Sequence, residues 1–186
     1  DVFRVMQQTP RHRYQVLTKR PERMAQWLAD LQAAGDYTPA DHIWLGTSVE
    51  NNLVVDRADH LREVPATIRF LSCEPLLGPL DELELEGIDW VIVGGESGQH
   101  LWKERAQRRR GLVEYLDGAW EPRADRRAWV EDLRKRCVAA DIPFFFKQWG
   151  GATPKAGGRT LRDREWSEYP APAKPSRPLD RTPRGS

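Results

Sequence analysis

Five short apolar segments, each ending abruptly in a polar cluster, constrain this chain more than any other feature. Tyr14-Gln15-Val16-Leu17 runs into Thr18-Lys19-Arg20, and His42-Ile43-Trp44-Leu45-Gly46 into Thr47-Ser48-Val49-Glu50-Asn51. Thr67-Ile68-Arg69-Phe70-Leu71 precedes Ser72-Cys73-Glu74-Pro75, and Trp90-Val91-Ile92-Val93 precedes Gly94-Gly95-Glu96-Ser97-Gly98. Pro143-Phe144-Phe145-Phe146 leads into Lys147-Gln148-Trp149-Gly150-Gly151. Runs this short, rich in β-branched and aromatic residues, read as strands buried on both faces. Helical patterns lie between them. Pro21 suits a first helical position. Met24, Trp27, Leu28 and Leu31 then recur at i, i+3, i+4, i+7, one buried stripe, before Gly35. Asn52 to Glu63 carries Val54, Ala58 and Leu61, and a helix from about Asp125 buries Trp129, Val130, Leu133 and Cys137. Asp81 to Glu86 is expected to form a shorter helical patch. The alternation predicts an α/β fold of parallel strands with helices outside and right-handed crossovers. Five units fall short of an eight-stranded barrel of ~250 residues. An open or partial (β/α) barrel of about five strands is therefore expected, ahead of a doubly wound sheet.

With 186 residues the chain suits one domain. Its expected division is a partial barrel over 1–151 with a basic insertion at 99–124, a lid or hairpin at 152–169, and a Pro/Arg-rich disordered tail at 170–186. Net charge is only +1 but unevenly spread: residues 1–98 hold 9 basic and 16 acidic side chains, residues 99–136 hold 11 and 7, and residues 152–186 hold 8 and 4. The insertion and tail are thus the places where an acidic partner would bind, if they are more than a solvated charged surface. No apolar run approaches the ~20 residues of a membrane span. Asp1-Val2-Phe3-Arg4 has neither a signal-peptide core nor an initiator Met, so the natural start is expected upstream or to have been trimmed away. Cys73 and Cys137 are far apart and no CxxC occurs, so no structural zinc site or iron–sulfur cluster is expected to be held by this chain alone. Free thiols fit a reducing compartment.

Parallel α/β folds bind ligands at the C-terminal ends of their strands, where the loops are free of packing duty. Those ends present Lys19, Thr47, Glu50, Asn51, Ser72, Glu74, Glu96, Ser97, Lys147, Gln148 and Trp149. If the sheet curves, three carboxylates and two ammonium groups share one mouth. Such a set can orient a polar substrate, hold a hard divalent cation, or supply a general acid and base. Glu74, Glu96 and Lys147 are the candidate catalytic groups, and the rest are candidate substrate contacts. Each has a plainer alternative. The glutamates could be solvated loop residues, Asn51 could cap the next helix, and Trp149 could be core. Lys147, between three phenylalanines and a tryptophan, either snorkels to solvent or pairs with a carboxylate in the mouth. The Gly-Gly-Glu-Ser-Gly turn is neither a dinucleotide fingerprint nor a P-loop. It serves a close backbone approach to a ligand or a tight turn equally well. His12, His42, His60 and His100 lack metal-ligand spacing and read as surface or strand-start residues.

Five ordered runs resemble the phage gp-thirty-seven/gp-sixty-eight family, a domain of unknown function in phages, prophages and bacteria. They are Gln15 to Met24, Trp44 to Asn51, Phe70 to Gly78, Trp90 to Gly98 and Pro143 to Gly150, with Gly157 to Leu161 and Trp166 in support. The resemblance covers most of 1–98 and 128–170. Full-length members carry an N-terminal cysteine cluster like that of radical S-adenosylmethionine enzymes. The resemblance therefore implies a partial barrel that, in a full-length relative, holds an iron–sulfur cluster and S-adenosylmethionine. This chain departs from that pattern: the cluster and the first strands are missing, and its 99–122 link looks longer than the family's usual connection.

The leading expectation is the C-terminal part of a radical-SAM-like partial barrel, in the host-cell cytoplasm, binding a polar small molecule or nucleic acid at its strand ends. The rival is a non-catalytic phage protein. It would bind a host or phage macromolecule through the basic insertion, where Arg105, Arg108, Arg109 and Arg110 would meet phosphates.

Overall fold

A computed structural model describes residues 2–171. The expected disordered tail therefore lies, apart from its first two residues, outside the described residues. Five parallel strands form one sheet in the order β1-β2-β3-β4-β7: β1 (Tyr14–Thr18), β2 (Ile43–Ser48), β3 (Ile68–Cys73), β4 (Trp90–Gly94) and β7 (Phe144–Gln148). A hairpin of β5 (Val113–Leu116) and β6 (Ala119–Pro122) stands apart from it. The helices are α1 (Val2–Gln8), α2 (Pro21–Ala33), α3 (Asp56–Arg62), α4 (Glu104–Arg110) and α5 (Ala124–Ala139).

The strand order decides the architecture. Each strand lies beside the one before it and the sheet grows in a single direction. Right-handed crossovers then put every connection on the same face. Side chains alternate accordingly. Ile43, Leu45, Leu71, Cys73, Val91, Val93, Phe144 and Phe146 face Met24 and Leu28 of α2, Leu61 of α3, and Val130 and Leu133 of α5 in the main core. Trp44, Ile68, Phe70, Trp90, Ile92 and Phe145 form a second cluster on the opposite face, which no helix among the described residues covers. This is the open, partial-barrel arrangement, with helices outside and an aromatic face inside.

Three local expectations change. The stretch Asn52 to Glu63 is not one helix: a 3₁₀ turn (Asn52–Val54) precedes α3, and Asn51 Oδ1 accepts from the Leu53 amide at 2.9 Å. The patch Asp81 to Glu86 is not helical. Its carbonyls are taken from outside, those of Glu84 and Glu86 by the Arg62 guanidinium at 2.7 Å each and that of Leu83 by Arg136, which also takes Leu80 O just before the patch. Leu80, Leu83 and Leu85 are buried in the main core, so the β3–β4 connection plugs that core without a helix. Residues 99–122, read as a charged link, fold as a 3₁₀ turn (Gln99–Trp102), α4 and the β5–β6 hairpin. The Asp117-Gly118 turn closes this hairpin with positive φ at both residues, the signature of a tight two-residue loop.

The segment expected to be a lid or hairpin runs antiparallel along the free edge of β7. The Phe146 amide donates to Trp166 O at 3.0 Å and the Glu168 amide to Phe144 O at 3.3 Å. Trp166 is buried and its indole donates to Leu161 O. An otherwise unpaired sheet edge is thereby covered.

Candidate functional site

The inner face is built in rows. Strand register sets Leu17, Gly46, Phe70 and Trp90 side by side, and Ser48, Ser72, Ile92 and Phe145 in the next row toward the strand C-termini. Gly46 leaves room for the Phe70 ring, since a Cβ there would stand 2.6 Å from three ring carbons. Trp90 is the hub. Its ring meets Trp44 edge-on at 5.5 Å, Phe145 edge-on at 6.1 Å, Phe70 at 5.8 Å and Tyr169 at 5.3 Å. Its indole N–H donates to Glu168 O at 2.8 Å, pinning the C-terminal segment beside the face. A cavity of about 390 Å³ opens over Phe70, Trp90, Phe145 and Tyr169, lined also by Gln15, Ser72, Glu74 and Lys147.

Above the rings, successive strands end in Lys19, Glu50, Glu74, Glu96 and Lys147, one for each strand in spatial order. The five do not form one cluster. Glu50 is nearly buried and pairs with Lys19 and with Arg57 at 3.0 Å. Glu96 pairs with Arg110 and lies 3.2 Å from His100 Nε2. Glu74 pairs with Lys147 at 3.1 Å, from β3 to β7, across the intervening β4. Gly94 permits that reach, because a Cβ there would stand 2.6 Å from Glu74 Oε1. Ser72 Oγ donates to Glu74 Oε2 at 3.2 Å and orients the carboxylate. Partial burial, and secondarily the Arg57 guanidinium, lowers the Lys19 ammonium below the usual lysine value.

The remaining candidates are placed as follows. Ser72 joins Glu74 and Lys147 in the cavity. Thr47 is buried on the helix side, on the same face as Leu45 two residues before it, and donates to Thr18 O at 2.9 Å. Trp149 belongs to the main core, its indole bonded to Thr160 O. Gln148 donates to Gly95 O and Ser97 Oγ at 3.3 Å, and Asn51 caps its 3₁₀ turn. These four hold the rim's framework. The glycine pairs do the same. A Cβ on Gly95 would stand 1.9 Å from Trp149 O, and one on Gly150 2.1 Å from Glu96 O, so the two strand ends interlock backbone to backbone. The loop after β3 laces the rim further, through Leu76 N to Gly94 O at 2.9 Å and Leu77 N to Glu50 O at 2.8 Å.

Sequence reasoning missed Gln15, Phe70, Trp90, Phe145 and Tyr169 as cavity walls, and Arg57 and His100 as partners of the rim glutamates. The Glu96–His100 spacing of four was legible. The cavity walls were hidden by reading the strands as buried on both faces.

An iron–sulfur cluster does not fit the thiols of this chain. Cys73 and Cys137 are both fully buried on the helix side of the sheet, turned away from the inner face. Burial pushes both thiols upward, Cys137 to about 12, so neither is a ready thiolate ligand. Among the described residues no group of three or more His, Cys, Asp or Glu side chains could hold a metal ion. Native protein at pH 8 is expected to leave both thiols unlabelled by an aromatic disulfide reagent, and guanidinium-unfolded protein to react at both. Prompt native-state labelling would contradict the burial.

Fold and rim together define a singly wound α/β half-barrel, with an aromatic inner face beneath a charged strand-end rim. The chain belongs to the family described as "Protein of unknown function (DUF5131)", whose model matches residues 1–114 and 118–170. The match thus takes in most of the 99–122 excursion. No curated protein and no solved structure matches the chain.

Proposed function

We propose that the inner face binds a small planar molecule with a polar edge, of the nucleobase kind, and that Glu74 and Lys147 read that edge. The observation that supports this reading is the Glu74–Lys147 pair at the open end of the aromatic cavity. Flat rings suit walls made of Phe70, Trp90, Phe145 and Tyr169. The cavity is at the lower end of the size range of small-molecule sites. Lys147 keeps 54% of its side chain exposed, free to donate to a carbonyl or phosphate oxygen. Glu74 accepts from a ring N–H or an exocyclic amine. In a reaction the same two groups serve as proton acceptor and donor. Glu96, held by Arg110 and His100, positions the excursion instead.

The likeness to the phage gp-thirty-seven/gp-sixty-eight family supports a wider reading: a phage-type protein of the host cytoplasm, part of a radical-SAM-like partial barrel. In such a barrel an iron–sulfur cluster would supply the radical chemistry, and the two thiols here do not fit that group. No helix among the described residues is long and apolar enough to cross a membrane.

Titrating tryptophan fluorescence with nucleosides and nucleoside monophosphates tests the proposal. Saturable binding is expected. Glu74→Gln and Lys147→Met should each weaken it by roughly ten- to a hundred-fold, since a charge-assisted hydrogen bond contributes about 1.5–3 kcal/mol. Stability should change little, because an ion pair whose lysine is 54% exposed is screened by solvent and contributes about 0–1 kcal/mol. Failure of every probe to bind, or variants that bind like the parent, would refute it.

A further inference from the structure

We propose that the inner face carries a second binding site, at the N-terminal end of its strands, for an organic phosphate: a phosphoryl group on an apolar body. A cavity of about 500 Å³ opens there, a size usual for small-molecule sites. Arg11, His12 and Arg13, which lead into β1, line it, and Thr67, just before β3, adds a hydroxyl. Trp44 and Ile68 of the inner-face cluster line the same space. The cations and the aromatic face therefore meet in one cavity.

These charges stand against the local balance. Residues 1–98 hold 16 acidic and only 9 basic side chains. Among the latter, Lys19 and Arg57 are paired with Glu50, and Arg62 with Asp59. Arg11 and Arg13 have no ion-pair partner among the described residues, although carboxylates outnumber cations around them. Asp41 is the one carboxylate in the described wall and pairs with neither. The N-terminal end of a parallel α/β fold ordinarily serves stability, but cations without partners add nothing to a scaffold.

Arg13 is also held in place. Its Cζ lies 4.5 Å over the Trp44 ring, and Trp44 is fixed in turn by its indole, which donates to Asp41 O at 2.9 Å. Stacking occupies one face of the guanidinium and leaves its N–H edge free, a fork that matches two phosphate oxygens. His42 steadies the wall, its Nε2–H donating to Met6 O at 2.9 Å. The space is roomier than a phosphate ion needs, and Pro10, Ile68 and Ala171 make the rest of its wall apolar. An apolar body attached to the phosphoryl group fills that part.

Following the Trp44 indole in ¹H–¹⁵N spectra of the whole protein, titrated with phenyl phosphate, inorganic phosphate or phenol, tests this. Phenyl phosphate should shift the resonance saturably, inorganic phosphate should bind more weakly, and phenol should leave it in place. Arg11→Gln and Arg13→Gln should each weaken phenyl phosphate binding by roughly ten-fold, the lower end for a charge-assisted hydrogen bond because both groups keep contact with water. Asp41→Asn should strengthen it, since a carboxylate repels the phosphate. Amide spectra matching the parent show that the variants fold, and if Arg13→Gln disturbs Trp44, Arg11→Gln carries the test alone. A still Trp44 resonance, phenol or inorganic phosphate binding as well as phenyl phosphate, or folded arginine variants that bind like the parent would overturn the proposal. Lys147→Met should leave phenyl phosphate binding unchanged, so this site and the nucleobase cavity fail separately. A loss with Lys147→Met and none with Arg11→Gln would put the phosphate at the other end of the face and overturn the assignment.

Discussion

Gly95→Ala should destabilise the protein by about 3 kcal/mol or more, the upper end of what overpacking a rigid interior costs. The added methyl would lie 1.9 Å from Trp149 O and 2.7 Å from its carbonyl carbon. Neither atom is the loose end of a side chain. Both belong to the backbone that receives the Gly95 amide through Gln148 O and the Gly98 amide through Gly151 O, so relief means separating β4 from β7 at the rim. Urea unfolding at an unchanged m-value measures this. A loss below about 0.5 kcal/mol, the scatter of ordinary surface substitutions, would show that the strand ends are not interlocked.

Trp90→Ala should cost about 3–5 kcal/mol, as other buried tryptophan truncations do. Trp90 is 2% exposed and touches four other aromatic rings. It also bonds Glu168 O, so truncation should loosen the segment along β7 as well. Trp90→Phe keeps a ring but leaves that carbonyl without its donor, and should cost about 1–3 kcal/mol. Limited proteolysis should then cut near Glu168 sooner in both variants. Equal stability of Trp90→Ala and the parent would mean that the inner face holds no core of its own.

How far the chain could be read from its residues depends on what each pattern encodes. Short apolar runs alternating with amphipathic stretches located five parallel strands, and their polar ends located the rim, because strand propensity and the C-terminal-end rule both act locally. What failed was side assignment. In Phe144-Phe145-Phe146 all three residues are aromatic, and only the winding direction of the sheet sends the middle one to the inner face. In Phe70 and Trp90 the same ambiguity concealed the cavity. Asp81 to Glu86 looked helical because leucines recur among acids, yet Arg62 and Arg136 compete for its carbonyls from distant positions. Pairing between carboxylates and cations was equally non-local. Glu74 reaches Lys147 because Gly94 is a glycine, a relation among three strands that no single stretch displays.

The most direct test is a ¹H–¹⁵N spectrum of the tryptophan indoles during titration with a nucleoside monophosphate, assigned with Trp90→Phe and Trp149→Phe. Trp90 and Trp149 lie on opposite faces of the same sheet, and both indoles are bonded to backbone carbonyls. A ligand on the inner face should shift the Trp90 resonance while that of Trp149 stays in place. Movement of Trp149 alone, or a still spectrum at saturating probe, would contradict the inner face as the binding surface.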